Sequence, residues 1–341
     1  MSKPGRWLDS RSIIFFLGIA LIAGCAAGLA LGSVSLSPSQ LWSALIRAPQ
    51  ADPITQVILW QLRLPRVLLA MLVGGALSVA GATFQGLFRN PMADPYIIGA
   101  SSGAALGATL AIALSLDFLI FGLSPIPVMA FLGSLLAVSI AYYLAKTGGR
   151  VSMLSMLLAG VAISSLFSAL VSLCIFLSGG QLSHVLFWMM GGLSRASWRY
   201  IAISIPYLAL GLGVVLYYAR QLDAMLLGDE TAVHLGINID QLRRQLVMAA
   251  TLLTAAAVAV SGTIGFVGLI VPHLVRLLLG PRHVRVLPVS ALAGALILLL
   301  ADLVARTIIS PAELPVGLVT ALAGAPFFLY ILRSRQRDPL S

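Results

Sequence analysis

The stretch LDAMLLGDETAVHLGINID (222–240) holds Asp223, Asp229, Glu230 and Asp240, four of the eleven acidic residues in the chain, between two long apolar runs. Acids gathered in a short polar connector offer a docking point for a partner outside the membrane. GDETAVHLG has the pattern of a short helix, with Asp229 and Glu230 at its positive N-terminus and Gly236 placed to end it. A solvated loop between helices accounts for the same charges. Elsewhere the polar residues are sparse. Asp302 and Arg306 stand one helical turn apart and can pair. Asp94, Asp302 and Glu313 flank breaks in the apolar pattern. Ser164, Ser168 and Ser172 fall at i, i+4 and i+8 on one helix face, where serines can also be satisfied by their own helix carbonyls.

Several chemistries lack their residues. The lysines are Lys3 and Lys146, and neither follows a glycine as a phosphate-binding P-loop requires, so this chain does not hydrolyse ATP by itself. His184, His234, His273 and His283 are scattered without paired spacing, so no fixed metal site is expected and no cofactor of the chain's own. A membrane enzyme would need a His, Cys or carboxylate cluster that the pattern does not offer. Cys25 and Cys174 lie inside apolar runs and read as inert thiols without a disulfide framework. IAGC (Ile22 to Cys25) resembles a lipoprotein cleavage site. Against cleavage, the apolar run continues to Leu31, and Gly24, Gly28 and Gly32 keep the four-residue spacing of a packed span.

The elements that must carry these residues are transmembrane helices. At 60% hydrophobic, 9% charged and a mean hydropathy of +1.02, the chain lies outside the range of soluble domains. Apolar runs long enough to cross a bilayer predict ten spans, near 13–32, 60–82, 96–115, 119–145, 152–178, 200–219, 243–262, 264–280, 286–305 and 315–332. An even count, with Lys3, Arg6 and Arg11 ahead of the first span and Arg333, Arg335 and Arg337 after the last, puts both termini in the cytoplasm. On that topology 14 of the 21 Lys and Arg lie on the cytoplasmic side, so the formal charge of +10 is positive-inside bias and not a nucleic-acid footprint. Segments 33–59, 179–199 and 220–242 are too short to fold on cores of their own. The expectation is one all-α, polytopic transmembrane domain over residues 1–341.

An internal echo divides that domain. At an offset of 181 residues Arg63 matches Arg244, Val79 matches Val260, Gly81 matches Gly262 and Pro91 matches Pro272. Five spans separate the copies, so the repeat is inverted, with halves near 56–180 and 240–333 and a cytoplasmic coupling segment near 220–240. Inverted repeats with Pro/Gly-broken segments at matching places are a transporter signature. A self-sufficient secondary carrier fits the repeat, but such a carrier is expected to hold carboxylates near mid-membrane.

Six ordered motifs then carry a resemblance. LRLPR (62–66), RNPMADPYIIG (89–99), LLAGVAIS (157–164), WMMGGLSRASW (188–198), GFVGLIVPHLVR (265–276) and ADLVARTIISPAELPVGLVTALAGAPFF (301–328) resemble the permease subunits of type II, binding-protein-dependent ABC importers for iron-siderophores, haem or cobalamin. The resemblance implies a ten-helix permease that dimerises around a central pathway in the cytoplasmic (inner) membrane of a prokaryote. It implies two ATPase subunits carrying ATP and Mg below, and one periplasmic or surface substrate-binding protein outside. Arg63, Arg66 and Arg306 resemble the outer arginines that meet carboxylates on the binding protein; anchoring of span ends is the other reading. Glu230, Ala232 and Gly236 follow the order of the E-A-A-x-x-x-G coupling motif of such permeases, with Thr231 at its second place and Asp229 alongside. Asn90 and Met92 resemble the inner constriction, bracketed by Pro91 and Pro95. Ser152, Met153 and Leu154 occupy the other gate turn, and they are mostly apolar where cobalamin permeases can carry small polar residues. The resemblance makes the helix of Ser164, Ser168 and Ser172 the pathway helix; the four-residue spacing of Gly99, Gly103 and Gly107 reads as a helix-packing face. An iron chelate or haem is the expected cargo, with a corrinoid as the alternative.

Overall fold

The computed structural model describes residues 9–336 apart from 33, 35, 49–51, 117, 120, 121, 123, 148, 149 and 179. Lys3, Arg6 and Arg337 of the charge-bias reading lie outside the described residues. The helices in chain order are α1 (Ser10–Ala30), α2 (Pro38–Leu45), α3 (Pro53–Val57), α4 (Leu64–Leu87), α5 (Ala100–Ala113), α6 (Pro125–Leu144), α7 (Met153–Leu177), α8 (Leu182–Met189) and α9 (Trp198–Tyr217). They continue with α10 (Ala219–Met225), α11 (Asp229–His234), α12 (Ile239–Ser261), α13 (Val267–Leu279), α14 (His283–Thr307) and α15 (Val316–Gln336). A two-stranded antiparallel ladder, β1 (Lys146–Thr147) with β2 (Arg150–Val151), lies between α6 and α7.

All ten predicted spans correspond to helices: α1, α4, α5, α6, α7, α9, α12, α13, α14 and α15. Seven are long and apolar enough to cross a bilayer, while α5, α13 and the apolar part of α15 are shorter. The chain is a multi-pass membrane protein. The long helices α4 and α12 are buried at the centre, and α1, α7 and α9 lie at the periphery with their large apolar side chains outward. Composition explains the centre. Gly74, Gly75, Ala76, Ser78, Ala80, Gly81 and Ala82 give α4 small surfaces on every side, so helices can approach it all round. A Cβ on Gly74 would meet the carbonyl oxygen of Gly294 in α14 at 2.2 Å, and one on Gly81 would meet that of Gly268 in α13 at 1.7 Å. The small-residue face of α5 packs as expected, with Gly103 against Gly133 of α6 and Gly107 against Met129. Gly24 and Gly28 of α1 are buried against α14 and the start of α4.

Helices α4–α7 and α12–α15 share one order of lengths, a long helix, a short one and two long ones. Helix α4 packs on α12, α13 and α14, whereas α12 packs on α4, α5 and α6. The start of α4 and the end of α12 line one cavity through Arg66 and Gly262, while Arg243 near the start of α12 bonds Asp229 beside Arg89, just past the end of α4. The two leading helices therefore run in opposite senses. Local detail differs at the matched positions. Gly81 lies inside α4, whereas Gly262 ends α12 at φ 67°; Pro91 lies in a turn, whereas Pro272 lies within α13.

The short helices follow from two non-helical returns into the bundle. After α4 the chain turns through Asn90–Gly99, and after α12 through Gly262–Phe266, and the two returns meet. Tyr96 Oη donates to Ile264 O (3.0 Å) and accepts from Ile264 N (3.3 Å). Pro95 packs against Gly268. One phenol thus satisfies both backbone groups of a residue outside any helix, the condition for irregular backbone inside a membrane protein.

Candidate functional site

Two polar clusters stand at opposite ends of α4, separated by about 30 Å of helix at ~1.5 Å per residue. Ahead of α4 the helix widens into a π turn, Ile58–Arg63, just before Pro65, whose missing N–H interrupts the regular ladder. Arg66 Nε donates to both oxygens of Asp302 (2.9 and 3.1 Å), and its Nη1 donates to both oxygens of Glu313 (3.0 and 2.9 Å). Arg306 Nε is 3.6 Å from Asp302, in ion-pair range only, and Arg306 Nη2 donates to Gly28 O at 2.5 Å. Arg63 Nη1 donates to Leu29 O (2.6 Å) and Ala30 O (2.9 Å), and its Nη2 donates to Val34 O. The C-terminal carbonyls of α1 are therefore held by two arginines that the sequence places far away, with guanidinium charge at the negative end of the helix.

Arg63 and Arg306 are buried under α1, and Arg66 is 12% exposed and already holds two carboxylates. The pairing predicted within α14 forms, but Asp302 lies inside that helix, fully buried, and its shorter contacts are to Arg66. Beside Arg66 opens a cavity of about 170 Å³ whose lining includes Glu313, Arg195, Trp188, Ser261 and Gly262. Arg195 is exposed. Its place in the SRASW motif gave no sign that it faces the same cavity as Arg66. Trp60 and Trp198 flank this end, with Trp198 Nε1 donating to Trp60 O (2.8 Å) and Trp60 Nε1 to Ala44 O (3.0 Å), as interfacial indoles do.

At the other end, 226–236 folds as the short helix that its pattern predicts: α11 begins at Asp229, and Gly236 follows at φ 80°. Asp229 accepts from Arg89 Nη2 and from Arg243 Nη2 (2.7 Å), so it joins the turn after α4 to the start of α12. Ala232 is fully buried and anchors α11, while Glu230 is exposed. Asn90 Oδ1 accepts from Met92 N (2.9 Å), which closes a turn over Pro91. Met153 is half-buried and Leu154 exposed at the start of α7. Ser164 Oγ accepts from Ser102 of α5 at 3.4 Å, so it faces a neighbouring helix; Ser168 and Ser172 are exposed, and Ser172 Oγ donates back to Ser168 O (3.0 Å).

Sequence spacing missed a third set. Asp223 of α10 accepts from the backbone N and Nδ1 (2.9 Å) of His283 and from Val284 N (3.3 Å), supplying the start of α14 with a carboxylate where Arg282 gives no side-chain cap. Burial alone raises the Asp223 carboxyl, but these bonds from His283 and Val284 outweigh it and hold the group below the ordinary carboxylate value. His283 Nε2 lies 3.2 Å from Arg276 Nη2, and Arg276 also donates to Gln85 Oε1 (2.9 Å) and Ala82 O (2.8 Å). The one legible sign was Arg276 inside an otherwise apolar span.

Residues 19–334 match the FecCD transport family. The hemin transport system permease protein HmuU of Yersinia pestis is 42% identical over 97% of this chain and 98% of its own length. The cobalamin import system permease protein BtuC of Halobacterium salinarum is 46% identical over 82% of this chain and 74% of its own. A solved structure of an ABC transporter of the metal-chelate type, in an inward-facing conformation, superposes with a TM-score of 0.84 at 35% identity, covering 95% of this chain and 99% of that one. With the family match spanning nearly the whole chain and relatives aligned end to end, this protein belongs to the FecCD transport family, the permease subunits of ABC importers.

Proposed function

We infer that two copies of this chain form the permease of an importer that moves an iron complex, a ferric siderophore or haem, across the cytoplasmic membrane. Separate ATPase subunits holding ATP and Mg drive it, and a substrate-binding protein delivers the cargo. Both termini face the cytoplasm, so the Asp229 end is inner and the Arg66 end is outer. The observation that carries this reading is α11, a short helix with a buried Ala232 and an exposed Glu230 at its positive end, tied by Asp229 to the turn that follows α4 and to α12. A motor pressing on α11 moves the two central helices together.

The outer end supports docking in a modified form. Arg66 and Arg195 face the cavity with Glu313, and Arg63 and Arg306 hold α1 beneath it. Carboxylates on a binding protein would engage Arg66 and Arg195, with charge steering the encounter. The peripheral face of α7, with Ser168 and Ser172 among apolar side chains, suits a pathway at the twofold axis that passes bulky cargo without gripping it. Asn90, Met92, Met153 and Leu154 would form its inner constriction. Specificity then resides in the binding protein, in keeping with relatives named for hemin, ferric dicitrate, hydroxamate and cobalamin transport. The Halobacterium relative favours a corrinoid as the second reading.

The test is reconstitution with the ATPase and binding protein in proteoliposomes, comparing uptake of a ferric siderophore, haem and cobalamin for wild type and for Asp229→Ala/Glu230→Ala. Loss of ATPase association and uptake in a folded variant supports the reading. Uptake that proceeds without the ATPase replaces it with a secondary carrier.

A further inference from the structure

The link between α11 and the bundle runs through Asp229, 40% exposed and paired with Arg89 and Arg243, and ion pairs on a solvent-exposed acid are individually weak and geometrically loose. A stiffer connection runs beneath it. Arginine can only donate hydrogen bonds, so Arg276 Nη2 fixes His283 Nε2 as an acceptor and leaves the proton on Nδ1, facing Asp223. The same rule fixes Gln85, whose Oε1 accepts from Arg276 while its Nε2 donates to Leu269 O at 2.9 Å. Every donor and acceptor role in the chain Gln85, Arg276, His283, Asp223 is thereby set, and His283 and Gln85 are buried. Four elements are joined: α4, α13, α14 and α10, the last of which leads directly into α11. At the far end, the backbone carbonyl oxygen of Gln85 accepts from Asn90 N at 3.1 Å, so through the backbone of Gln85 the chain reaches the turn that carries Asn90 and Met92. Gly86 leaves room for it, since a Cβ there would stand 2.5 Å from His283 Nε2.

We propose that Asp223, His283, Arg276 and Gln85 are a positioning relay that transmits displacement of the α10–α11 segment to the Asn90–Met92 turn, coupling ATP turnover to opening of the pathway. This rests on the permease reading above. A satisfied buried network is stiff because each member loses its partner if any one moves alone. The relay therefore moves as a unit, and the exposed Asp229 pairs adjust around it.

The experiment measures uptake per ATP hydrolysed in proteoliposomes holding the permease, its ATPase subunits and the binding protein. Wild type without ATP-dependent uptake would overturn the permease reading itself, so that failure is separate. Given a working wild type, Asp223→Ala, His283→Ala and Gly86→Ala are expected to keep turning over ATP while uptake per ATP falls by about threefold to thirtyfold. His283→Gln can donate to Asp223 and accept from Arg276, and it is expected to restore the ratio to near wild type. Should the disruptive variants fail to assemble, His283→Gln and Arg276→Lys still decide. Arg276→Lys keeps the charge but loses the fork that reaches Gln85, Ala82 and His283 together, and it is expected to uncouple. The proposal is overturned if uptake and ATP turnover fall in proportion, as a merely structural role would give, or if His283→Gln uncouples as fully as His283→Ala.

Discussion

The two ends of α4 use charge differently. At the Arg66 end three arginines and two carboxylates belong to the spanning helices or their immediate ends, and Asp302, Arg63 and Arg306 are buried. At the Asp229 end the acid sits on a connector helix, is itself 40% exposed, and is shared between Arg89, 43% exposed, and Arg243, 17% exposed. A buried ion pair is costly to break because the surviving charge is left without water, whereas an exposed pair exchanges protein contacts for hydration at little cost. The first end is thus built to hold α1, α4 and α14 in one arrangement, and the second is built to be rearranged.

That contrast is broken most severely at Asp302. Asp302→Asn keeps the shape but removes the buried charge that faces Arg66 and Arg306 and leaves Arg66 with Glu313 as its carboxylate partner, and removing one partner of a buried pair costs about 3–5 kcal/mol. The expected outcome is a large fall in the thermal midpoint of the detergent-purified permease and poor accumulation in membranes. A midpoint within a degree or two of wild type would show that this end is as yielding as the other. Gly294→Ala is the next largest. Its Cβ would lie 2.1 Å from Ser78 Oγ and 2.4 Å from Gly74 O, and overpacking of this kind costs about 1–3 kcal/mol. Because α4 and α14 each carry residues of both ends, the variant should lower the midpoint and impair uptake together, whereas end-specific variants separate the two.

Asp229→Asn comes lower on the stability scale, at about 0–1 kcal/mol, yet it should abolish most uptake if α11 seats the motor. Asp223, in the preceding helix α10, supplies a pH control. Its folded value is depressed, so the stability it confers is complete above the unfolded carboxylate value of about 3.9 and is lost only as pH falls through the lower folded value. Between pH 5 and 8 stability should show no titration from this group. An acid limb in the unfolding midpoint within that window that disappears in Asp223→Asn would contradict the cap on α14.

The spans were legible because crossing a bilayer forces long apolar runs, and each of the ten finds its helix. Helix α11 was legible for a local reason, since its acidic start and its terminating Gly236 lie within one short stretch. The partners of the buried charges were not. Asp302 and Arg306 advertise their pairing by i, i+4 spacing, but Arg66, 236 residues away, makes the shorter contacts. Asp223 and His283 are 60 residues apart, and Arg276 and Gln85 are 191 apart, so only the packing of α4, α13 and α14 brings them together. Arg63 and Arg306 read as rim residues because the sequence shows charge at a span end and gives no sign that the end of α1 arrives to cover it. The shortness of α5 and α13 was hidden as well, since a re-entrant turn such as that around Tyr96 reads as apolar as a helix.

The smallest expected effect lies at Glu313, and it separates stability from recognition at the Arg66 end. Glu313 is 36% exposed, and Arg66 keeps both oxygens of Asp302 without it, so Glu313→Gln should change the unfolding midpoint by no more than about 1 kcal/mol equivalent. Its consequence for docking has a definite sign. Glu313 occupies Nη1 of Arg66, the group that a carboxylate on the binding protein would need. Removing its charge unblocks that group and makes the cavity shared with Arg195 more positive. The binding protein should therefore associate severalfold more tightly at low salt, with the gain shrinking as ionic strength rises. Surface plasmon resonance against permease in nanodiscs reads this directly. Weaker binding would mean that Glu313 itself meets a basic group on the partner, and the docking charge at this end would have to be reassigned from arginine to glutamate.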